Sequence, residues 1–130
     1  MAAVTITDES ATGRVKDSWR LVGLPDRVTV RDIIRTRVRE EVARFNLNTT
    51  TVFAGLVQPS ETEAVINGYR MTRSRRLDWE KQAEIAERAF VSNGFFMLVD
   101  DRQVESLDDE IDLLGDPKIS FIKLVPLVGG

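Results

Sequence analysis

The hydrophobic pattern of this chain changes its period along the sequence, and this change limits the folds that the chain can adopt. In residues 3–7 and 15–22, apolar residues alternate with polar ones on either side of a polar stretch that contains Gly13. Alternation is the period of a half-buried strand, so the two segments predict a β-hairpin. Gly23 and Pro25 then end the second strand. We therefore expect the chain to begin with an antiparallel pair of strands.

The period next becomes that of a helix. Thr29 is placed to cap its N-terminus, and Asp32, three residues later, lies near the positive end of the helix dipole. Arg37 and Glu41 stand four residues apart, and we expect this pair to add a few tenths of a kcal/mol to helix stability. The arginines of this helix are expected to lie on a solvated face. The predicted apolar face comprises Val30, Ile33, Ile34, Val38, Val42 and Phe45.

The stretch 46–77 is the least regular part of the sequence. Ser60 and Glu63 have the spacing of a capping box, which predicts a short helix over 61–67 that ends at Gly68. A local group of arginines follows, which suits either contact with phosphate or an acidic partner, or simple exposure in a loop. These arginines are Arg70, Arg73, Arg75 and Arg76.

A second helix is predicted at about 79–92. Asp78 suits the N-cap position of this helix. Trp79 and Phe90 belong to its apolar stripe together with two alanines, and we expect them in the core. The two predicted helices make 46–93 an inserted helical segment.

Strand-like apolar runs return at 95–101 and 119–125, separated by an acidic loop. The turn after the first run leads into a short paired strand at 103–105. A helix that follows a hairpin can pack across one face of a mixed sheet, and the last strand can then lie between earlier ones. The order of elements therefore predicts a single α+β domain, residues 1–130, with one main helix and a helical insertion at 46–93.

Composition excludes several classes of function. The chain has 130 residues with no cysteine and no histidine, which excludes thiol nucleophiles, disulfides, imidazole catalysis and Cys/His metal sites. Its net charge of −3 argues against binding to nucleic acid. Since no apolar run approaches the roughly 20 residues that span a bilayer, and the N-terminus lacks the pattern of a secretory signal, we expect a cytoplasmic protein with no membrane partner.

The acidic loop is not predicted to bind a metal ion. Its carboxylates do not have the spacing of a calcium-binding loop, and no glycine stands at the required offset. We expect the loop to be solvated. Its central acidic residues are Asp108, Asp109, Glu110 and Asp112.

The last third of the chain resembles a known family. The stretch FMLVDDRQVESLDDEIDLLGDPKISFIKLVPLVGG, residues 96–130, is similar to the second half of a β-grasp, ubiquitin-like protein. In that family a strand leads through a turn, a short paired strand and a loop to a final strand, which releases a tail ending in Gly-Gly. Pro126 and Val128 stand where ubiquitin-type tails carry arginines, so the tail is closer to that of bacterial sulfur carriers such as the molybdopterin synthase small subunit.

The resemblance implies a β-grasp sheet as the core of the α+β fold. It covers residues 3–45 and 95–130, and it offers no counterpart for the segment 46–93. The insertion would therefore be an elaboration of the β-grasp domain.

The resemblance also implies a chemistry for the C-terminus. An E1-like adenylating enzyme that uses Mg-ATP would convert the Gly130 carboxylate to an acyl-adenylate, which a thiol, a sulfide or an amine then attacks. Gly129 keeps the tail slim enough to enter a narrow site, and Leu127 and Val128 would contact the activating enzyme. In this interpretation the chain is a substrate and carrier, not an enzyme, and it binds no cofactor itself.

Three functions stay open at this point. The favoured one is a protein modifier that passes from the E1-like enzyme to an E2-like enzyme and on to amines of target proteins, with a deconjugating protease to reverse the step. The second is a sulfur carrier with a C-terminal thiocarboxylate for cofactor biosynthesis, and the third is a non-catalytic interaction module with an incidental Gly-Gly. The insertion favours the modifier because it offers extra surface for choosing partners, and it is a candidate for self-association through Phe53, Leu56 or Trp79.

The lysines matter if the modifier forms chains on itself. The candidate linkage sites are Lys16, Lys81, Lys118 and Lys123. Alignment of the last strand from the C-terminus puts Lys123 on the buried face, whereas alternation by hydrophobicity puts Ile122 and Leu124 there. A slip of one residue exchanges the two faces of a strand, so both assignments stay open.

Overall fold

The predicted hairpin forms one side of a five-stranded mixed sheet in an α+β fold. The structure is a computed structural model and describes residues 1–47, 52–60, 62–65, 68–71 and 76–124. In chain order its elements are β1 (Ala2–Glu9), β2 (Val15–Leu24), β3 (Arg27–Thr29), α1 (Val30–Leu47), β4 (Val52–Phe53), β5 (Thr62–Val65), β6 (Gly68–Met71), α2 (Trp79–Val91), β7 (Phe95–Val99), β8 (Arg102–Gln103), β9 (Glu110–Asp112) and β10 (Ile119–Lys123).

The main sheet has the strand order β2-β1-β10-β7-β8. At its centre β1 and β10 run parallel, with Ile6 opposite Ile119. On its other side β10 pairs antiparallel with β7, and Phe121 stands opposite Met97. The last strand therefore lies between earlier strands, as the order of elements predicts. Two smaller sheets, β3-β9 and β4-β6-β5, are separate from it.

Helix α1 begins where its cap was predicted. The Thr29 hydroxyl accepts a hydrogen bond from the Asp32 N–H at 3.1 Å, and the Asp32 carboxylate accepts one from the Thr29 N–H at 3.0 Å. This reciprocal capping box satisfies two backbone donors that the first turn leaves free. Every residue of the predicted apolar face is buried, from Val30 to Phe45.

Helix α2 packs beside α1 and contacts strand β7 of the main sheet. The Asp78 carboxylate caps α2 by accepting a hydrogen bond from the Glu80 N–H at 3.0 Å, so the predicted cap is confirmed. The Phe90 ring of α2 lies 5.9 Å from the Phe95 ring of β7, which in turn contacts Phe121 of β10. A chain of aromatic contacts thus connects the second helix to the centre of the sheet.

The short helix predicted over 61–67 is wrong, because Thr62–Val65 and Gly68–Met71 form an antiparallel hairpin. The polar residues before it make a turn instead of a helix cap: the Thr62 hydroxyl donates to the Pro59 carbonyl, and Gln58 donates to the Thr62 carbonyl. Gly68 has a φ of 147°, and a Cβ there would lie 2.3 Å from the Phe53 carbonyl oxygen. The described part of the insertion therefore comprises a three-stranded sheet and one helix, and it is not a helical segment.

The acidic loop was expected to be solvated, but part of it packs against the core. Strand β9 pairs with β3, and Ile111 is buried opposite Val28. Just before β9, the carbonyls of Leu107 and Asp109 accept hydrogen bonds from the first two N–H groups of α1, at 3.0 and 2.9 Å. The acidic residues of this segment are exposed, two of their carboxylates pair with Arg27 and Arg31, and the backbone completes the capping of α1.

The capping box gives a direct test of this fold. We predict that Thr29→Ala lowers the free energy of unfolding by about 1 kcal/mol, because it removes one of the two reciprocal hydrogen bonds. Thr36→Ala, inside the same helix, is the matched control and should cost less, since alanine has the higher helix propensity. Urea unfolding of both variants measures the difference, and equal losses would contradict the role of the cap.

Candidate functional site

The predicted acyl-carrying residues come after the central strand of the sheet, with residues 124–128 between them and the end of β10. Gly129 and Gly130, with the tail residues Leu127 and Val128, lie outside the residues that the structure describes. The chain reaches them from β10, and Leu124 just after this strand is 47% exposed. The candidate site is therefore the end of β10 and the side chains packed around it.

The four lysines have different surroundings. Lys16 on β2, Lys81 on α2 and Lys118 just before β10 are exposed, and Lys118 lies 4.0 Å from the Glu9 carboxylate. Lys123 is only partly exposed, and its ammonium donates a hydrogen bond to the Gly55 carbonyl at 2.7 Å. Three of the predicted linkage lysines are thus accessible, whereas the fourth is held inside the fold.

Lys123 lies on the core face of β10. Ile119 and Phe121 are both fully buried, and alternation along the strand puts Lys123 on the same side. The assignment from the C-terminal alignment is confirmed, and the assignment of Ile122 and Leu124 to the buried face is wrong. A lysine can occupy this position because its stem lies along apolar surface while its ammonium finds the Gly55 carbonyl.

The centre of the site is a buried cluster of charges on α1 and β1. The Arg37 side chain is 3% exposed and that of Glu41 is 6% exposed. The Arg37 guanidinium binds both carboxylate oxygens of Asp8, with 2.7 Å from Nη2 to Oδ2, and its Nε donates to Glu41. The same guanidinium lies over the rings of Phe121 and Trp19, at 4.6 and 5.3 Å from their centroids.

This burial corrects the expectation of a weak Arg37–Glu41 pair on a solvated face. The signal was available in the sequence: both positions fall at helical spacing from Ile34, Val38 and Phe45, which places them on the apolar face. The partner Asp8 could not be inferred, because it lies 29 residues away on another element.

Burial and charge act against each other within the cluster. Burial raises the pKa of the Glu41 carboxyl, although Arg37 and the Leu56 N–H oppose the shift. Burial alone would lower the pKa of Arg37, but the charges and hydrogen bonds of Glu41 and Asp8 outweigh it and raise that pKa. Burial also lowers the pKa of Lys123, and the nearby positive charge of Arg37 adds to this effect.

The insertion is attached to this cluster at two adjacent residues. The Glu41 carboxylate accepts a hydrogen bond from the Leu56 N–H at 2.9 Å, beside the contact of Lys123 with the Gly55 carbonyl. A Cβ at Gly55 would lie 2.1 Å from the Phe53 ring and 2.6 Å from a Glu41 carboxylate oxygen. Only glycine fits this position, since a side chain would have to displace both neighbours.

The residues expected to mediate self-association are mostly unavailable for it. Phe53 and Leu56 are 1% and 3% exposed, so they belong to the core of the chain itself. Trp79 is partly exposed and was expected in the core; the guanidinium groups of Arg35 and Arg39 lie over its ring, at 5.3 and 5.7 Å from the centroid.

Other candidate sites gain no support from the geometry. Within the described ranges, no group of three or more acidic side chains is arranged to hold a metal ion. Of the predicted basic patch, Arg70 and Arg76 are exposed, while Arg73 and Arg75 lie outside the described residues. Neither helix in the part of the chain covered by the structure is long and apolar enough to cross a bilayer.

No protein-family model matches the sequence, and neither the curated proteins nor the solved structures gave a significant match. A functional assignment for this chain therefore depends on its strand order and on the residues around the end of β10.

The buried arginine provides a test of the site. We predict that Arg37→Met lowers the free energy of unfolding at pH 7 by about 3–5 kcal/mol, because two carboxylates then lose their partner. Because the Glu41 pKa is already raised, this deficit should shrink as the pH falls and Glu41 takes up a proton. The matched control is Arg39→Met on the exposed side of α1, which should cost less than about 1 kcal/mol. A pH-independent deficit in urea unfolding would contradict the assignment.

The partly buried lysine gives a second pH dependence. Because its pKa is lowered, the folded chain releases the Lys123 proton before the unfolded chain does. The wild type should therefore gain stability relative to Lys123→Met as the pH rises toward 10.5, the ordinary lysine value. Unfolding curves between pH 7 and that value measure the difference. Lys81→Met, on exposed α2, should show no such trend, and a flat difference for Lys123→Met would contradict the burial of its amine.

Proposed function

We propose that the chain is a β-grasp, ubiquitin-like protein modifier, activated at the Gly130 carboxylate by an E1-like adenylating enzyme. The observation that carries this proposal is the position of β10. The last strand lies in the middle of the mixed sheet, parallel to β1 and antiparallel to β7, and the chain runs from it into a sequence that ends in Gly-Gly. The helix after the opening hairpin packs on one face of this sheet, which also agrees with a β-grasp fold.

A central strand suits the delivery of a reactive carboxylate. Strand β10 is hydrogen-bonded to a neighbour on each side, so its backbone is fixed more firmly than that of an edge strand. A partner enzyme would recognise the rigid domain, and the short glycine-ended tail would reach the nucleotide without bulky side chains. The folded domain would thus provide the surface that the enzyme recognises, and the tail would bring the carboxylate to the nucleotide.

The partner proteins would supply the nucleophiles of the proposed reaction. The Gly130 carboxylate attacks the α-phosphorus of ATP, pyrophosphate leaves, and an acyl-adenylate forms. A thiolate of the activating enzyme then displaces AMP, and the amine of a target displaces that thiolate in turn. The chain has no cysteine and no histidine, so these nucleophiles must belong to the activating enzyme, an E2-like enzyme and the target.

The sulfur carrier is retained as a second candidate because of the tail itself. Pro126 and Val128 make the end of the chain apolar, which is closer to the sulfur-carrier branch than to arginine-bearing ubiquitin tails. In that function a sulfide ion would attack the acyl carbon of the adenylate, AMP would leave, and a thiocarboxylate would remain. The modifier is preferred because the insertion, with its own sheet and helix, enlarges the surface that can select partners.

The modifier function is tested by the peptide that it would leave on its targets. We predict that N-terminally tagged chain, expressed in its native cells, becomes joined to other proteins. Trypsin cleaves after Lys123, so target lysines should carry Leu124–Gly130 as a branched remnant, detected by mass spectrometry. The matched control is a variant that ends at Val128, which should yield no branched peptide.

Two other outcomes would contradict the modifier. If the chain purified from these cells carries sulfur in place of one C-terminal oxygen and no branched peptide is found, it is a sulfur carrier. If neither product forms, the chain is an interaction module and the Gly-Gly is incidental.

A further inference from the structure

We propose that Lys123 and Glu41 are positioning residues that couple the insertion to the end of β10. Displacement of the insertion then loosens the end of β10, and displacement of the end of β10 loosens the insertion. The biological meaning of this coupling rests on the proposed function. In that function, a partner that binds the insertion would change how firmly the fold holds the residues at the start of the tail. The pair of contacts, Lys123 to Gly55 and Glu41 to Leu56, is called the latch below.

The end of β10 is the place where such a contact has the most influence. Its pairing with β1 ends at Ile122, opposite Glu9, whereas its pairing with β7 continues to Lys123, opposite Phe95. Strand β10 is thus paired with both neighbouring strands up to Ile122, and with β7 alone at Lys123. Strand ends open with a lower free energy than strand centres, so the bond from Lys123 to Gly55 contributes a large share of the local stability.

The insertion is held at the same point from the helix side. The Leu56 N–H donates to Glu41, and the carbonyl of the following residue, Val57, accepts a hydrogen bond from Gln82 of α2 at 2.8 Å. Glu41 is itself fixed by Arg37, which binds Asp8 on β1. Residues 55–57 are therefore anchored by α1, α2 and β10, and the contact with Lys123 links them to the strand that continues into the tail.

The two ends of the latch cannot move independently. The Phe53 ring and the Glu41 carboxylate lie so close to Gly55 that there is no space for even a Cβ, and a side chain at this position would have to displace them or the backbone. Displacement of Gly55 removes the acceptor of Lys123, and displacement of Lys123 removes one of the contacts that fix Gly55. Thermodynamic linkage requires that such an effect be reciprocal.

Amide hydrogen exchange by NMR on the full chain tests the latch in both directions. Lys123→Met keeps most of the apolar stem but removes the donor, and we expect the Leu56 amide to exchange about tenfold faster, as for loss of a charge-assisted hydrogen bond. Gly55→Ala forces the insertion away, and we expect similar acceleration of the Ile122 and Lys123 amides, although the two sides of the latch are 68 residues apart in sequence.

Matched controls separate the latch from a general loss of stability. Gly115→Ala adds a Cβ where no atom lies within 4 Å, and Lys118→Met removes an exposed amine before the other end of β10. Neither should alter exchange at Leu56 or Ile122. The amides of Ile6 and Leu21, in the centre of β1 and β2, report on global opening and should stay unchanged in Lys123→Met.

Acceleration in both directions without a change at Ile6 and Leu21 supports the latch. Unchanged exchange at Leu56 in Lys123→Met, or acceleration of all amides alike, overturns it, and so does an effect in one direction only. If Gly55→Ala fails to fold, Lys123→Met decides by itself, through Leu56. The experiment requires no activating enzyme, so its failure leaves the proposed function standing, and failure of the conjugation reaction leaves the latch standing.

Discussion

The buried cluster of charges formed by Arg37, Glu41 and Asp8 holds together the main elements of this structure. One guanidinium joins β1 through Asp8, α1 through Glu41, and the aromatic surface of β2 and β10 through Trp19 and Phe121. A buried charge is costly unless it is fully paired. Here Arg37 binds both Asp8 and Glu41, and Glu41 also accepts a hydrogen bond from the Leu56 N–H. The cluster therefore fixes how the helix, the hairpin and the last strand meet.

The same cluster explains how a large insertion coexists with a small sheet. Glu41 uses one carboxylate oxygen for Arg37 and the other for the Leu56 N–H, so the charge that orders the helix face also anchors the insertion. Helix α2 adds its own contact through Gln82. The insertion is thus built into the core of the domain, and its anchoring point adjoins the strand that leads to the proposed reactive terminus.

Much of the fold could be predicted from local signals. Short stretches of sequence predicted the hairpin, the N-cap at Thr29, the N-cap at Asp78 and the apolar runs of β7 and β10. Their order was enough to place the last strand between earlier ones. The predictions of these elements were correct because each element depends on residues that are close together along the chain.

The predictions that proved wrong concern features that depend on residues distant in sequence. The spacing of Ser60 and Glu63 suggested a helix, but the pairing of β5 with β6 and the close approach of Phe53 to Gly68 override this local preference. The pairing of β3 with β9 and the ion pair of Arg37 with Asp8 likewise depend on partners distant in sequence. The proposed reactive residues were chosen from the sequence and the family resemblance alone, since they lie beyond the described residues.

The central claim is that the C-terminal carboxylate becomes an activated ester on a partner enzyme. The most direct measurement is a non-reducing gel of the tagged chain after incubation with ATP in an extract of its native cells. We expect a covalent adduct that requires ATP, disappears on treatment with excess thiol, and is not formed by a chain that ends at Val128. If no such adduct forms, or if the shortened chain forms it, the C-terminal carboxylate is not activated as proposed.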